Sequence, residues 1–103
     1  MKICYHGTTK ENAKTIIKEG FVKHTFFAKH QEDALEFGGD YIFAVAFDSK
    51  KIPDNWQFIS RSKISPKKII EHYRLKKTLV FENTALRERV FKYNIKELTP
   101  KGE

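Results

Sequence analysis

The tetrapeptide Tyr5-His6-Gly7-Thr8 is the stretch of sequence on which the predicted fold depends. Residues 3–5, which lead into it, have the β-branched and aromatic character of a short strand. At a strand end, a histidine ring nitrogen can point into a cleft, and a glycine, which has no Cβ, lets a ligand reach the backbone. We therefore expect a first strand that presents His6 and Gly7 to a site.

A helix is predicted directly after this stretch. Thr8 and Glu11 have the spacing of a capping box, with Thr8 as the N-cap. Apolar residues then follow at positions 13, 16 and 17, the spacing of one helix face. Gly20 ends the helix, because glycine tolerates the positive φ that is common at that position.

Most of the later apolar segments are predicted to be strands. Residues 25–28 form a second strand, and a short helix from His30, with acids in its first turn, ends at Gly38-Gly39. Residues 41–47 are continuously apolar, as in a central strand covered on both faces. Residues 56–61 alternate, with Trp56, Phe58 and Ser60 on the core face, and residues 67–75 return as another strand.

The end of the chain is predicted to be helical. The apolar run at 79–81 has no clear type, and Asn83 or Thr84 can cap a last helix that extends to about Tyr93. Its inward residues would be Leu86, Val90 and Phe91. Residues 100–103 are predicted to fray.

Length and composition favour one domain spanning residues 1–103. The single Cys4 excludes an internal disulfide and a cysteine metal cluster, and a lone thiol suits a reducing compartment. No secretory signal is visible before the first strand, and the longest apolar run, residues 41–47, is far shorter than a membrane span. We expect a cytoplasmic protein with neither a membrane partner nor a metal.

Charge is unevenly distributed along the chain, whose net charge is +7. Residues 1–49 hold six lysines against seven acids, whereas residues 50–103 hold fourteen lysines and arginines against six acids. The pairs Lys67-Lys68 and Lys76-Lys77 add to this density. Three readings are open: a nucleic-acid partner bound through its phosphates, an acidic protein target, and a solubilising surface.

An ordered series of short motifs resembles the ADP-ribosyltransferase family, in the diphtheria-toxin and poly(ADP-ribose) polymerase branch with the His-Tyr-Glu signature. The series covers roughly residues 3–72 and consists of Tyr5-His6-Gly7-Thr8, Asn12-Ala13, Ile16, Gly20-Phe21, Phe26-Phe27-Ala28, Ala34, Phe37 and Ile64-Ser65-Pro66. The resemblance implies an α+β fold with a split, mostly antiparallel sheet and short flanking helices around an NAD cleft. It also implies NAD as a substrate.

The resemblance further implies roles for single residues. His6 corresponds to the histidine that hydrogen-bonds the adenosine ribose, and Gly7 to the glycine whose backbone holds the nicotinamide carboxamide. Phe26 replaces the signature tyrosine, and Phe37 matches a second aromatic residue beside the nicotinamide ring. A phenyl ring can still stack on the cationic pyridinium, because cation–π attraction does not need a phenolic oxygen. The remaining residues implied to bind NAD are Thr8, Phe27 and Ala28.

The third signature position departs from the family pattern. The glutamate that stabilises the oxocarbenium ion formed as nicotinamide leaves corresponds here to Gln57, with Asp54 three residues earlier. An amide supplies no negative charge, and losing one such contact costs about 10²–10³ in rate. The candidate catalytic residues are His6, Phe26 and Gln57. Three accounts stay open: a slow enzyme, a non-catalytic NAD or ADP-ribose binder, and an inactivating Glu-to-Gln substitution.

RNA 2′-phosphotransferases are a second family that opens with a similar segment and uses NAD. The basic second half would suit RNA, but that family also requires arginines in a preceding module and around the cleft, whereas the first arginine here is Arg61. The expected function is NAD-dependent ADP-ribosyl transfer to a macromolecule, either a protein or a nucleic acid. A binding-only module and an RNA 2′-phosphotransferase-like enzyme are the alternatives.

Overall fold

A computed structural model describes residues 1–94, which form an α+β arrangement of one six-stranded sheet with two short helices. The strands are β1 (Lys2–Thr8), β2 (Phe26–Ala28), β3 (Tyr41–Phe47), β4 (Gln57–Ile59), β5 (Ile69–Glu82) and β6 (Ala85–Asn94). The helices are α1 (Lys10–Glu19) and α2 (Gln31–Ala34), with 3₁₀ turns at Leu35–Phe37, Ser49–Lys51 and Pro66–Lys68. The strand order is β4-β2-β1-β3-β5-β6, and neighbouring strands are antiparallel. The fraying predicted for residues 100–103 lies outside the described residues.

Strand β3 lies inside the sheet and is buried on both faces, as its continuous apolar sequence predicted. Phe43 and Val45 face the core on the α1 side, which also contains Cys4, Ala13, Ile16, Phe21, Phe27 and Tyr41. Ile42 faces a smaller core on the α2 side, with Ala28, Ala34, Tyr73 and Leu75. The alternation of β3 therefore supplies both hydrophobic cores.

Helix α1 begins one residue later than the sequence predicted. Thr8 continues β1, where it pairs with Tyr41, and Thr9 is the N-cap, whose hydroxyl accepts the Asn12 N–H at 3.3 Å. The prediction that Thr8 caps the helix is wrong because pairing with β3 holds Thr8 in extended conformation. Gly20 ends the helix as predicted, with a φ of 79° and its N–H bonded to the Ile16 carbonyl.

The helix predicted for residues 83–93 is wrong, because this segment turns back and forms β6. Asn83 and Thr84 are the two turn residues, and both have positive φ, 48° and 63°. Such a turn matches the twist of two antiparallel strands, so it closes a long hairpin. The apolar run at 79–81 belongs to β5. Of the residues predicted to face inward, Val90 is half-buried, whereas Leu86 and Phe91 are exposed.

Strand β4 is shorter than predicted and lies at an edge of the sheet. Trp56 was predicted to face the core, but it precedes the strand and is 50% exposed. Phe58 packs against Phe27 at a ring-centroid distance of 5.8 Å, and Ser60 is buried, its hydroxyl accepting the Thr25 N–H. The alternation was thus read correctly for Phe58 and Ser60. It failed for Trp56 because β4 begins only at Gln57, so Trp56 lies before the strand at the edge of the sheet and stays in solvent.

The Asn83-Thr84 turn gives a first prediction. A β-branched residue in the left-handed region is strained by about 1–3 kcal/mol, part of which glycine recovers despite its entropic cost. We expect Thr84→Gly to raise the free energy of unfolding by about 0.5–1 kcal/mol in urea denaturation. Thr78→Gly, in the middle of β5, is the control and should lower that free energy. Destabilisation by both variants would contradict the hairpin turn.

The two aromatic residues of the β2–β4 region give a second prediction. Phe27 is fully buried, so Phe27→Ala should lower the free energy of unfolding by about 3–5 kcal/mol. Trp56→Ala should cost no more than about 1 kcal/mol, because half of that side chain is already in solvent. Thermal unfolding followed by circular dichroism measures both. An equal loss in the two variants would contradict the exposed position of Trp56.

Candidate functional site

A gap between β1 and β2 forms the centre of the candidate site. β1 pairs with β3 along all seven of its residues, but with β2 it shares a single register pair, Tyr5 with Ala28. Beyond Tyr5, the side of β1 that faces β2 has no further strand pairing within residues 1–94. His6, the next residue of β1, is connected to β2 through its side chain.

His6 is held in this gap by a hydrogen bond to β2. Its Nδ1 lies 2.6 Å from the carbonyl oxygen of Phe26. A carbonyl only accepts hydrogen bonds, so Nδ1 carries the proton, and Nε2 of the neutral ring is an acceptor. Burial lowers the pKa of His6, and the bond to Phe26 opposes this in part. The site therefore contains a neutral imidazole whose Nε2 has no other partner among the described residues.

Phenylalanine rings surround His6 on both sides of the sheet. Phe21 and Phe27, on the α1 side, lie 5.5 and 5.7 Å from its ring centroid, and Phe37, on the α2 side, is stacked at 6.1 Å. Phe37 also contacts Phe26 at 5.9 Å. The structure thus brings together His6, Phe26 and Phe37, three residues for which the resemblance implied one NAD site, and Phe26 is the most open of the three at 44% exposed.

Position 7 has room only for glycine, because other parts of the chain pack closely against its backbone. A Cβ at this position would lie 2.2 Å from the Ala34 carbonyl oxygen and 2.9 Å from that of Gly39. A Cβ on Gly39 would in turn lie 2.0 Å from the Thr8 carbonyl. The sequence predicted that a ligand approaches the backbone at Gly7, whereas the atoms that approach it here belong to Ala34 of α2 and to Gly39. Thr8 beside it is buried.

Phe27 and Ala28 contribute to the two cores. Both are fully buried, Phe27 on the α1 side and Ala28 on the α2 side. Their side chains hold β2 in place and do not reach the surface of the site. Of the motif Phe26-Phe27-Ala28, only the Phe26 side chain is exposed to a ligand.

Gln57 lies one strand further along the sheet. It is half-buried on β4, opposite Ala28. Ala28 and Phe26 are two residues apart on β2 and so share a face of the sheet. Gln57, which pairs with Ala28, is therefore on the same face as Phe26. Three neighbouring strands, β1, β2 and β4, therefore carry His6, Phe26 and Gln57. Asp54 does not join them, because its carboxylate is fully exposed and lies 3.7 Å from the Lys29 ammonium group.

A cleft of about 1240 Å³ runs along β4 and shares Phe26 and Gln57 with this site. His6, Gly7 and Phe37 are not among its lining residues, so the cleft lies beside the aromatic cluster. Its walls come from β4 and from the segments at residues 46–55 and 60–68. The exposed His24 lines it too.

The cleft is strongly basic, a feature that the sequence indicated only as a general excess of charge. Among the side chains that the structure describes, its charged residues are four cations, Lys50, Arg61, Lys63 and Lys68, against one carboxylate, Asp48. These positions are up to eighteen residues apart in sequence, and only folding groups them. Of the pairs noted in the sequence, Lys68 lines the cleft, whereas Lys76 and Lys77 lie on the hairpin.

Two absences hold for residues 1–94. No three histidine, cysteine or carboxylate side chains come together as a metal would need. None of the helices combines the length and the apolar character that crossing a bilayer demands.

Comparisons with protein-family models, with curated proteins and with solved structures found no match. Functional inference for this chain therefore depends on its own geometry.

The lowered pKa of His6 gives a prediction about pH. The folded state holds the ring neutral, so between the folded pKa and the ordinary value of 6.5 the unfolded chain binds more protons. This contribution to stability is complete above pH 6.5 and is lost as the pH falls through the folded pKa. We expect the loss of unfolding free energy between pH 7.5 and pH 5 to be smaller in His6→Asn than in the parent. Identical pH profiles in urea denaturation would contradict a buried neutral His6.

Proposed function

We propose that this chain is an NAD-dependent ADP-ribosyltransferase that acts on a macromolecule, with the nicotinamide end of NAD bound at the gap between β1 and β2. One observation carries the proposal: the three positions that match the family signature lie on three neighbouring strands. His6 and Phe26 are joined by the 2.6 Å hydrogen bond, and Gln57 lies opposite Ala28 on the next strand.

His6 would position NAD through its free ring nitrogen. Nε2 of the neutral imidazole is an acceptor that suits a ribose hydroxyl donor. Because the pKa of His6 is lowered, the ring keeps this acceptor at neutral pH. The hydrogen bond to Phe26 fixes the tautomer and the ring orientation at the same time.

Phe26 would bind the nicotinamide ring by stacking. The pyridinium of NAD is cationic, and the face of a phenyl ring attracts a cation. Phe26 and Phe37 already touch, with ring centroids 5.9 Å apart, so no third ring fits between them in this arrangement. The nicotinamide would therefore stack on the exposed face of Phe26, or Phe37 would turn aside when NAD binds.

The reaction would break the bond between the ribose C1′ and the nicotinamide nitrogen. Its electron pair goes to that nitrogen and neutralises the pyridinium, which leaves an oxocarbenium ion at C1′. A nucleophile on the acceptor then forms a bond to C1′ and gives up its proton. Gln57 can hydrogen-bond the ribose but adds no negative charge beside the cation, so we expect slow turnover.

A non-catalytic NAD or ADP-ribose binder is the second candidate, and the amide of Gln57 favours it. The carboxylate of the cleft is Asp48, which accepts the Lys50 N–H at 3.0 Å, and Asp54 points to solvent. Neither lies on β4 beside Phe26. An amide at position 57 keeps the hydrogen-bonding capacity of the site while removing its charge.

Gln57→Glu separates the two candidates. We expect this variant to bind NAD within a few-fold of the parent in calorimetry but to release nicotinamide about 10² times faster, because it adds a carboxylate next to the developing cation. Incubation with labelled NAD and a cell lysate shows whether label is transferred to protein or to nucleic acid, or released as ADP-ribose.

Two outcomes argue against the proposal, and one control accompanies it. Absence of NAD binding to the folded parent contradicts both the enzyme and the binding-only candidate. NAD binding without faster nicotinamide release in Gln57→Glu favours the binding-only module. Gln31→Glu, on α2, is the matched control for the added charge, since Gln31 bonds the Tyr73 hydroxyl and lies outside the proposed site.

A further inference from the structure

We infer that the basic cleft along β4 binds single-stranded nucleic acid. This inference goes beyond ADP-ribosyl transfer and does not require that NAD bind. If both hold, the cleft would present an acceptor strand to the site at Phe26 and Gln57, which border it.

The cations of the cleft are available to an external anion. Lys50, Arg61, Lys63 and Lys68 are all exposed, and none forms an ion pair with any residue in 1–94. Three cations on the hairpin differ, because Lys77 pairs with Glu88, Arg89 with Glu82 and Lys92 with Glu71. The same basic half of the sequence thus contains a compensated surface and an uncompensated one. Lysine and arginine side chains that lie in a groove without an acidic partner can neutralise the phosphates of a nucleic acid.

The walls of the cleft supply stacking surfaces next to these cations. Phe26 is 44% exposed, Phe58 is half-buried, and the exposed ring of Trp56 lies between two lining residues, Asn55 and Gln57. Proteins that bind single strands combine a positive groove with aromatic side chains on which bases stack. A duplex keeps its bases paired and stacked on one another, so it could use the cations but not the rings.

Size and composition argue against other anionic ligands. A cleft of about 1240 Å³ is larger than the 300–1,000 Å³ typical of small-molecule sites, and it is open to solvent, as binding of a polymer requires. An acidic peptide would pair with the lysines but would not stack on the exposed phenylalanine and tryptophan rings. Nucleic acid in single-stranded form uses both.

The test is a titration of the full chain with a fluorescein-labelled oligo(dT) of about ten nucleotides, followed by anisotropy. Trp56 is the single tryptophan of the chain, so quenching of its fluorescence by an unlabelled oligomer reports binding at the cleft itself. We expect the logarithm of the binding constant to fall with log[salt] with a slope of about −3, since each contacted phosphate of a single strand contributes about −0.7.

A pair of charge-reversal variants locates the binding. Arg61→Glu with Lys63→Glu reverses two cleft cations, and Lys76→Glu with Arg87→Glu reverses one lysine and one arginine on the hairpin. Both variants change the net charge by the same amount. We expect the first to weaken oligo(dT) binding at least tenfold and the second to weaken it less than threefold. Equal unfolding midpoints confirm that both variants are folded.

Four results would overturn the inference: no oligo(dT) binding at 50 mM salt, equal losses in the two variants, tighter binding of a duplex of equal length, or tighter binding of a glutamate-rich peptide. The first would show that single-stranded nucleic acid is not the partner, and the second would show that it does not bind at the cleft. The third and fourth assign the cleft to another class of ligand. Because no NAD is present, failure here leaves the proposed transferase activity intact, and failure of NAD binding leaves this result standing.

Discussion

Burial of β3 on both faces is the constraint on which the rest of the structure depends. Five consecutive residues, Tyr41 to Val45, are buried, and alternate ones enter the two cores. A shift of one residue in pairing would exchange the faces of all of them, so the register of both neighbouring strands is strongly specified. With β1 this register runs over seven pairs and places His6 opposite Phe43 and Gly7 opposite Ile42. The position of the candidate site thus follows from the core.

The site itself arises where pairing stops. β2 pairs with β1 at one register position, and its short length leaves the rest of that side of β1 without strand pairing within residues 1–94. A polar ring placed among the three rings of Phe21, Phe27 and Phe37 would be costly if it were unsatisfied. The Phe26 carbonyl removes that cost for Nδ1 and leaves Nε2 as the free acceptor. One hydrogen bond therefore links β1 to β2 where their strand pairing has stopped and fixes the tautomer of the imidazole.

Charge is organised by strand pairing as well as by sequence. In the hairpin, β5 and β6 bring Lys77, Arg89 and Lys92 next to glutamates, so that these three charges are neutralised locally. Beside the edge strand β4 there is no such partner strand, and four cations remain uncompensated around the cleft. The hairpin also exposes Leu79, Phe81 and Leu86 near its turn. The two ends of the sheet thus present surfaces of different character.

The sequence by itself determined the elements whose signals are local. Apolar runs and alternation predicted β1, β2 and β3, and glycine at position 20 predicted the end of α1. That His6, Phe26 and Phe37 share one site was implied only by the family resemblance. Only the tertiary structure decided between extended and helical conformation for residues 83–93, because Leu86 and Val90, four residues apart, fit both periods and pairing with β5 chose the strand. It also moved the N-cap to Thr9 and left Trp56 in solvent, since both depend on how far a neighbouring strand extends. The basic cleft needed the fold as well, because its cations are distant in sequence and meet only when the loops on either side of β4 come together.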